Sequence, residues 1–340
     1  MKMTSENHLL IALKNNQKIS DFYNNEINKI AVFPQSFNKN NVLLNELIKE
    51  TKIFNCSISY YNNADGNYNK FLELHKPNII IVGLEKIDTE VLSKNPQLKF
   101  ISKYGVGIDN LDIPLIYSKR IGIGWTPGVN KRSVAELVLS FALGHFRNVF
   151  NSIFKMKNSK WIKDGGKELS YSKVGIIGLG NIGLEVAKLF KGFNCDVSYY
   201  DIENKSIEQN KYELNKRSFN NILEISDIIT FHVPFNEQTL NMLSKKDMSL
   251  IKSRPLIINT SRGDIIDFED VTTAVKDGII SGYASDVFPK EPYDSKEFKD
   301  DYRFLFTPHI GGNSQEAVIA MGRESIKHIV KFLSESQNTL

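Results

Sequence analysis

The chain has 340 residues, 41% of them hydrophobic and 24% charged, with 43 Lys+Arg against 39 Asp+Glu and a formal net charge of +4. At about 150 residues per domain this predicts two domains with real cores, and it excludes a disordered chain or a fibre. So small a charge, carried by scattered lysines, also argues against nucleic acid or an anionic membrane as partner, since either needs a basic stripe on one face.

The chain opens on a polar lead, rich in Asn (Asn15, Asn16, Asn24, Asn25), whose one apolar run, Leu9 to Leu13, is too short for a signal h-region or a membrane span. A cytoplasmic protein is expected. The strand-like run Ile30 to Phe33 is then followed by an amphipathic stretch around Val42 to Ile48. The pattern recurs at Ser57 to Tyr61 with Tyr68 to Leu74, at Ile79 to Val82 with Ile87 to Leu92, and at Phe100 to Ser102, which leads into Tyr104-Gly105-Val106-Gly107. Short apolar strands alternating with helices predict a parallel sheet covered on both faces, ending near Gly124. The turn Thr126-Pro127-Gly128-Val129-Asn130 feeds a single helical run from roughly Lys131 to Met156 that is apolar on nearly every side. Part of such a helix can pack on its own domain, and the remainder predicts a homodimer through 131–156.

From Lys173 the alternation resumes, with strands at Val174 to Ile177, Val197 to Tyr200, Ile228 to Val233, Leu256 to Asn259, Gly282 to Ala284 and Phe304 to Thr307. The fold class is therefore α/β, with two doubly wound parallel-sheet domains of Rossmann-like or flavodoxin-like type. A last helix, about Asn313 to Leu333, returns to the first domain in this reading. The division is then 1–124 plus 313–340 and 125–312, with a cleft between the lobes. Cys56 and Cys195 lie far apart, each beside a strand-like run, so free thiols and no metal are expected. The chain stops soon after the second domain, and feedback control by an appended regulatory domain is not expected.

Gly178-Leu179-Gly180-Asn181-Ile182-Gly183 follows an apolar strand and opens a helix. Gly178 permits the tight turn, Gly180 lets the backbone approach a pyrophosphate, Gly183 lets helix and strand close, and the helix N-terminus favours negative charge. Asp201 stands at the end of the next strand, where an acid accepts both ribose hydroxyls and repels a 2′-phosphate. That combination points to NAD, although Lys205 is close by. Three charged groups also end strand-like runs: Arg262 in Asn259-Thr260-Ser261-Arg262-Gly263, Glu291 in Asp286-Val287-Phe288-Pro289-Lys290-Glu291-Pro292, and His309 in Thr307-Pro308-His309-Ile310-Gly311-Gly312. Strand carboxyl ends line the ligand crevice of an open parallel sheet, so all three can face the nicotinamide.

These ordered motifs, with Gly105-Val106-Gly107-Ile108-Asp109-Asn110, Thr126 through Leu139, and Phe231-His232-Val233-Pro234, resemble those of the D-isomer-specific 2-hydroxyacid dehydrogenases. The match runs from about Phe100 to Gly312, whereas Met1 to Leu98 shares only the strand and helix rhythm. Pro127-Gly128-Val129-Asn130 and Ser133-Val134-Ala135-Glu136 look closer to the phosphoglycerate and glycerate branch than to D-lactate enzymes. The resemblance implies that His309 is the general acid and base, that Glu291 orients it, and that Arg262 binds the substrate carboxylate. It also implies that Asp286 holds the nicotinamide carboxamide, that His232, Val233 and Pro234 wall the adenine side, and that Thr260 and Gly311 line the cofactor cleft. The backbone of Val106 and Gly107 is expected to offer amides to the substrate carboxylate. Lys103 stands where phosphoglycerate dehydrogenases carry Arg. It either binds a substrate phosphate as a point charge or merely approaches the carboxylate or water.

The expected activity is that of an NAD-dependent oxidoreductase moving hydride between NAD(H) and a 2-hydroxy or 2-oxo acid. D-3-phosphoglycerate dehydrogenation, the entry to serine synthesis, is the leading substrate reading and glyoxylate/hydroxypyruvate reduction the alternative. A corepressor-like NAD(H) sensor is the reading from another class. Which acid is used, the physiological direction, assembly beyond a dimer, and the role of residues 1–28 are open at this stage.

Overall fold

The computed structural model describes residues 27–62 and 67–337. The apolar run Leu9 to Leu13 and the asparagines of the lead lie outside them. In chain order the elements are β1 (Asn28–Val32), α1 (Gln35–Asn38), α2 (Asn41–Thr51), β2 (Cys56–Tyr60), α3 (Tyr68–His75), β3 (Ile79–Val82), α4 (Thr89–Lys94), β4 (Phe100–Lys103), α5 (Ile113–Ser118) and β5 (Gly122–Gly124). There follow α6 (Lys131–Phe146), α7 (Val149–Lys157), β6 (Lys173–Ile177), α8 (Asn181–Gly192), β7 (Asp196–Tyr200), α9 (Ser206–Tyr212), β8 (Asn215–Lys216), α10 (Phe219–Ile225) and β9 (Ile228–Phe231). The series ends with β10 (Leu256–Asn259), α11 (Phe268–Lys276), β11 (Gly282–Ser285), β12 (Phe304–Phe306) and α12 (Gln315–Gln337). Two compact units result, Met1–Asn130 with Asn313–Leu340, and Lys131–Gly312. The first division thus falls at Asn130, somewhat beyond the Gly124 boundary read from the sequence.

The first unit holds a five-stranded sheet in the order β2-β1-β3-β4-β5, every pair parallel. This is the flavodoxin-like order. Both faces of a parallel sheet are covered by helices, which is why β3 reads Ile-Ile-Ile-Val and is buried at every position. One face packs Leu43, Leu47, Tyr104 and Phe100 against Ile326, Ile329, Phe332 and Leu333 of α12. Phe332 stacks on Phe100 with ring centroids 4.5 Å apart. Gly124 is required there, because a Cβ at that position would lie 2.4 Å from the His328 side chain.

The second unit has seven parallel strands in the order β12-β11-β10-β9-β6-β7-β8, a Rossmann-like order extended by one strand. β8 is only two residues long and escapes any periodicity argument. The single helix expected from Lys131 to Met156 is two helices. Asn148 adopts a left-handed conformation (φ 52°) and caps α7, and the ring of Phe150 comes within 2.1 Å of where a Gly144 Cβ would stand. The missing side chain at Gly144 therefore lets α7 fold back on α6. Most apolar residues of α6, among them Val138, Phe141 and Phe146, are buried in this unit, so the exposed apolar side chains of the run belong to α7. Among the described residues no helix is long and apolar enough to cross a membrane, and no His, Cys, Asp and Glu cluster could hold a metal.

Candidate active site

The turn after β6 is built around three glycines with separate tasks. Gly178 has φ +93° and would place a Cβ 2.7 Å from the His232 carbonyl. Gly183, in the first turn of α8, would drive a Cβ to 2.0 Å from the Gly178 carbonyl. Gly180 differs: nothing lies within 4 Å of its Cβ position, so the space before the start of α8 at Asn181 and Ile182 is open. An open space at a helix N-terminus, with unpaired amides and the positive end of the macrodipole, suits a pyrophosphate.

Asp201, at the end of β7, closes one side of that turn. Its Oδ2 accepts from the Leu179 amide at 2.7 Å and its Oδ1 from the Glu203 amide at 2.8 Å. A carboxylate oxygen accepts more than one hydrogen bond, so both remain capable of receiving ribose hydroxyls. Val233 packs against the Gly178 turn, and Pro234 follows it. His232 shares a 2.9 Å hydrogen bond between Nε2 and Thr230 Oγ1, and desolvation pushes its pKa down to about 3, so its ring is neutral. Thr260 Oγ1 is buried without a hydrogen-bond partner, an orphaned polar atom at the carboxyl end of β10. These residues fit a dinucleotide.

The three charged groups expected to act together belong to this unit. Arg262 leaves β10 in a turn organised by Asn259, whose Nδ2 donates to the Arg262 carbonyl at 2.8 Å and whose Oδ1 accepts from the Ser261 amide. Gly263 lets the backbone of Phe288 and Pro289 approach to 2.1 Å of its Cβ position, which ties this turn to the loop carrying Glu291. Glu291 accepts from the Phe288 amide through Oε1 at 3.0 Å and meets His309 Nδ1 through Oε2 at 2.8 Å. The two side chains are 33% and 30% exposed, so the pair is sheltered yet reachable. Burial raises the Glu291 carboxyl, but the hydrogen bond and charge of His309, the Phe288 amide and the Arg262 charge outweigh it and hold it below the ordinary carboxylate value.

His309 has φ +54°, a left-handed conformation uncommon outside glycine. Asp286, 1% exposed, fixes the loop there. Its Oδ1 accepts from Thr307 Oγ1 at 2.6 Å and from the Ile310 amide at 2.7 Å, and its Oδ2 from the Gly311 amide at 2.7 Å. Ser133 Oγ donates to the Gly311 carbonyl at 2.6 Å. Asn259 and Ser133 stand inside the motifs quoted from the sequence, which assign neither a role of its own. An Asn that ends a buried strand just before Thr-Ser-Arg is the available signal for the first, since Asx side chains organise turns.

Lys103, Val106 and Gly107 belong to the other unit. Lys103 ends β4, is 4% exposed, and donates to the Gly83 carbonyl. Asn110 Nδ2 donates to the same carbonyl at 3.1 Å and to that of Glu85 at 2.6 Å. The Val106 carbonyl accepts from Trp125 Nε1 at 3.0 Å.

Residues 139–311 match the family model of the D-isomer specific 2-hydroxyacid dehydrogenase, NAD binding domain. The chain is 32% identical over 263 residues to a glyoxylate reductase of Thermococcus litoralis, covering 75% of this chain and 80% of that one. It is 33% identical over 295 residues to a D-3-phosphoglycerate dehydrogenase of Haemophilus influenzae, covering 84% and 70%. In fold it is similar to a D-lactate dehydrogenase of Aquifex aeolicus solved with NAD and lactic acid, with TM-score 0.79, 24% identity, and 92% and 97% of the two chains covered. The chain, with a glycine turn before α8, an acid at the end of β7 and a paired His and Glu in the same unit, belongs to the D-isomer-specific 2-hydroxyacid dehydrogenases, NAD-dependent oxidoreductases.

Proposed function

We propose that the chain interconverts a short, unphosphorylated 2-oxo acid and its 2-hydroxy acid, with glyoxylate or hydroxypyruvate as the oxo form. The observation that carries the chemistry is the 2.8 Å contact between His309 Nδ1 and Glu291 Oε2. It fixes the ring orientation and occupies Nδ1, so the proton given to or taken from the substrate oxygen is carried on Nε2. Arg262 presents a planar fork of donors to the carboxylate and polarises the neighbouring carbonyl. NAD(H), when bound, supplies or accepts the hydride. Asp286 keeps His309 and Gly311 on one rigid loop through three hydrogen bonds.

One observation supports an unphosphorylated acid over phosphoglycerate: Lys103 is buried and its ammonium donates to the Gly83 carbonyl. The relatives include glyoxylate reductases and D-3-phosphoglycerate dehydrogenases alike. NADH oxidation with glyoxylate, hydroxypyruvate, phosphohydroxypyruvate, pyruvate and 2-oxoglutarate tests this reading. Higher kcat/KM with glyoxylate or hydroxypyruvate is the expected result. A preference for phosphohydroxypyruvate would return the assignment to phosphoglycerate dehydrogenation and serine synthesis, and tight NADH binding without any turnover would favour a sensor.

The assembly we propose is a homodimer through α7, where Val149, Phe150, Ile153 and Phe154 are 36–48% exposed beside Trp161 and Ile162. Phe154→Glu is expected to give a monomer by light scattering. An unchanged mass would remove this interface. Cys56 and Cys195 are free, and burial pushes both thiols up to about 11, which fits inert thiols in a reducing compartment such as the cytoplasm.

A further inference from the structure

Beyond Asp201, the loop that follows β7 carries a lysine that looks suited to a 2′-phosphate. Lys205 is only 19% exposed, and its Nζ lies 2.8 Å from Glu203 Oε2. The Glu203 amide in turn donates to Asp201 Oδ1 at 2.8 Å, so one short loop joins the ribose acid, a second acid and the cation. Burial disfavours the Lys205 ammonium, yet the hydrogen bond with Glu203 and the charges of Asp201, Glu203 and Glu208 outweigh it and raise its pKa. The direct contact is the ion pair with Glu203, and the charges of Asp201 and Glu208 also favour the ammonium.

We propose that Glu203 is a second determinant of coenzyme choice, which rejects a 2′-phosphate by holding Lys205 in an ion pair. The inference rests on the ribose lying at Asp201. Asp201 repels the phosphate directly, whereas Glu203 removes the cation that would otherwise welcome it. Removing Asp201 alone leaves Lys205 paired and the rejection partly in place. Releasing Lys205 as well gives the phosphate a charged partner.

The test uses the full chain and two readouts. Calorimetry gives the ratio of dissociation constants for adenosine 2′,5′-bisphosphate and AMP, and steady-state kinetics gives kcat/KM with NADPH and NADH. A ratio cancels any general loss of binding. Asp201→Ala is expected to shift both ratios toward the 2′-phosphorylated ligand by about tenfold, and Glu203→Gln added to it by roughly fivefold more, the size of one short-range charge interaction at a surface. Lys205→Met in that double variant should erase the second gain. The proposal is overturned if Glu203→Gln adds nothing to Asp201→Ala, or if the added gain survives Lys205→Met. Should Asp201→Ala itself leave both ratios unchanged, the placement of the ribose at Asp201 falls, and this inference with it.

Discussion

After β12 the chain carries His309 against Glu291 on a sheltered but reachable loop, where His309 first, and the Arg262 charge least, hold the Glu291 carboxyl down. After β3 and β4 the polar groups do something else. Lys103 and Asn110 both donate to the Gly83 carbonyl, Asn110 also to that of Glu85, and the Gly83 amide donates to Glu85 Oε2 at 2.7 Å. Both regions lie at the carboxyl ends of parallel strands, the usual place for ligands. Both use side chains to satisfy backbone groups, and the first in addition sets a His and a Glu against each other across two loops. Burial and hydrogen-bond partner thus describe the different settings of these charged residues at strand ends.

The comparison predicts unequal losses. His309→Ala should lower kcat by about 10² to 10⁴ fold, the usual contribution of general acid–base catalysis, with NADH affinity retained; near-parental turnover would remove the assigned mechanism. Asp286→Asn should destabilise the protein by about 2–4 kcal/mol, because an amide cannot accept all three of the donors that converge on the carboxylate. Its melting temperature should fall by several degrees, and hydrogen exchange at Ile310 and Gly311 should accelerate. Unchanged protection at those two amides would show that the loop is held by something else.

Glu291→Gln should cost about tenfold in kcat, since the carboxylate that orients the His309 ring is gone. The sign for stability follows from the lowered carboxyl. Its contribution is full above the ordinary value of 4.5 and is lost as pH falls through the depressed one. The parent should thus converge with the variant in acid, and a gap that widens instead would contradict the ion pair. The smallest effect is expected at the other end of the comparison. Lys103→Met should change stability by only about 1 kcal/mol, because Asn110 still serves the Gly83 carbonyl. It should leave the ratio of kcat/KM for hydroxypyruvate and phosphohydroxypyruvate unaltered, and a selective loss with the phosphorylated acid would make Lys103 a phosphate ligand after all.

The sheets were legible because buried parallel strands write themselves as short uninterrupted apolar runs, and Ile79 to Val82 between Pro77 and Gly83 and Leu256 to Ile258 after Pro255 are too short and too β-branched for helices. The glycine turn was legible for a different reason, namely that three backbone approaches exclude a side chain or require open space at fixed spacing. What escaped depends on partners distant in sequence. The break between α6 and α7 depends on a Phe150 ring entering the gap at Gly144, which an apolar pattern averaged over the whole run conceals. Likewise, nothing near Asp286 announces that its oxygens are taken up by Thr307, Ile310 and Gly311, which stand 21 to 25 positions later. Lys103 is the same kind of case, since its carbonyl partner is 20 residues away.

The return of α12 to the first unit has a consequence for the order of events at the ribosome. Residues of β1, α2 and β4, Phe100 and Leu43 among them, share a cluster with Ile326, Ile329 and Phe332, the last of these close to the end of the described chain. The unit that starts first therefore finishes last. While residues 131–312 are synthesised, and can close their own seven-stranded sheet, one apolar face of the earlier sheet waits without the part of its cover that α12 supplies. Domains generally fold as units while the chain emerges, at about 5–20 residues per second. For this chain that interval is roughly ten to forty seconds of exposed Ile, Leu and Phe, which makes the nascent first unit a natural client for chaperones.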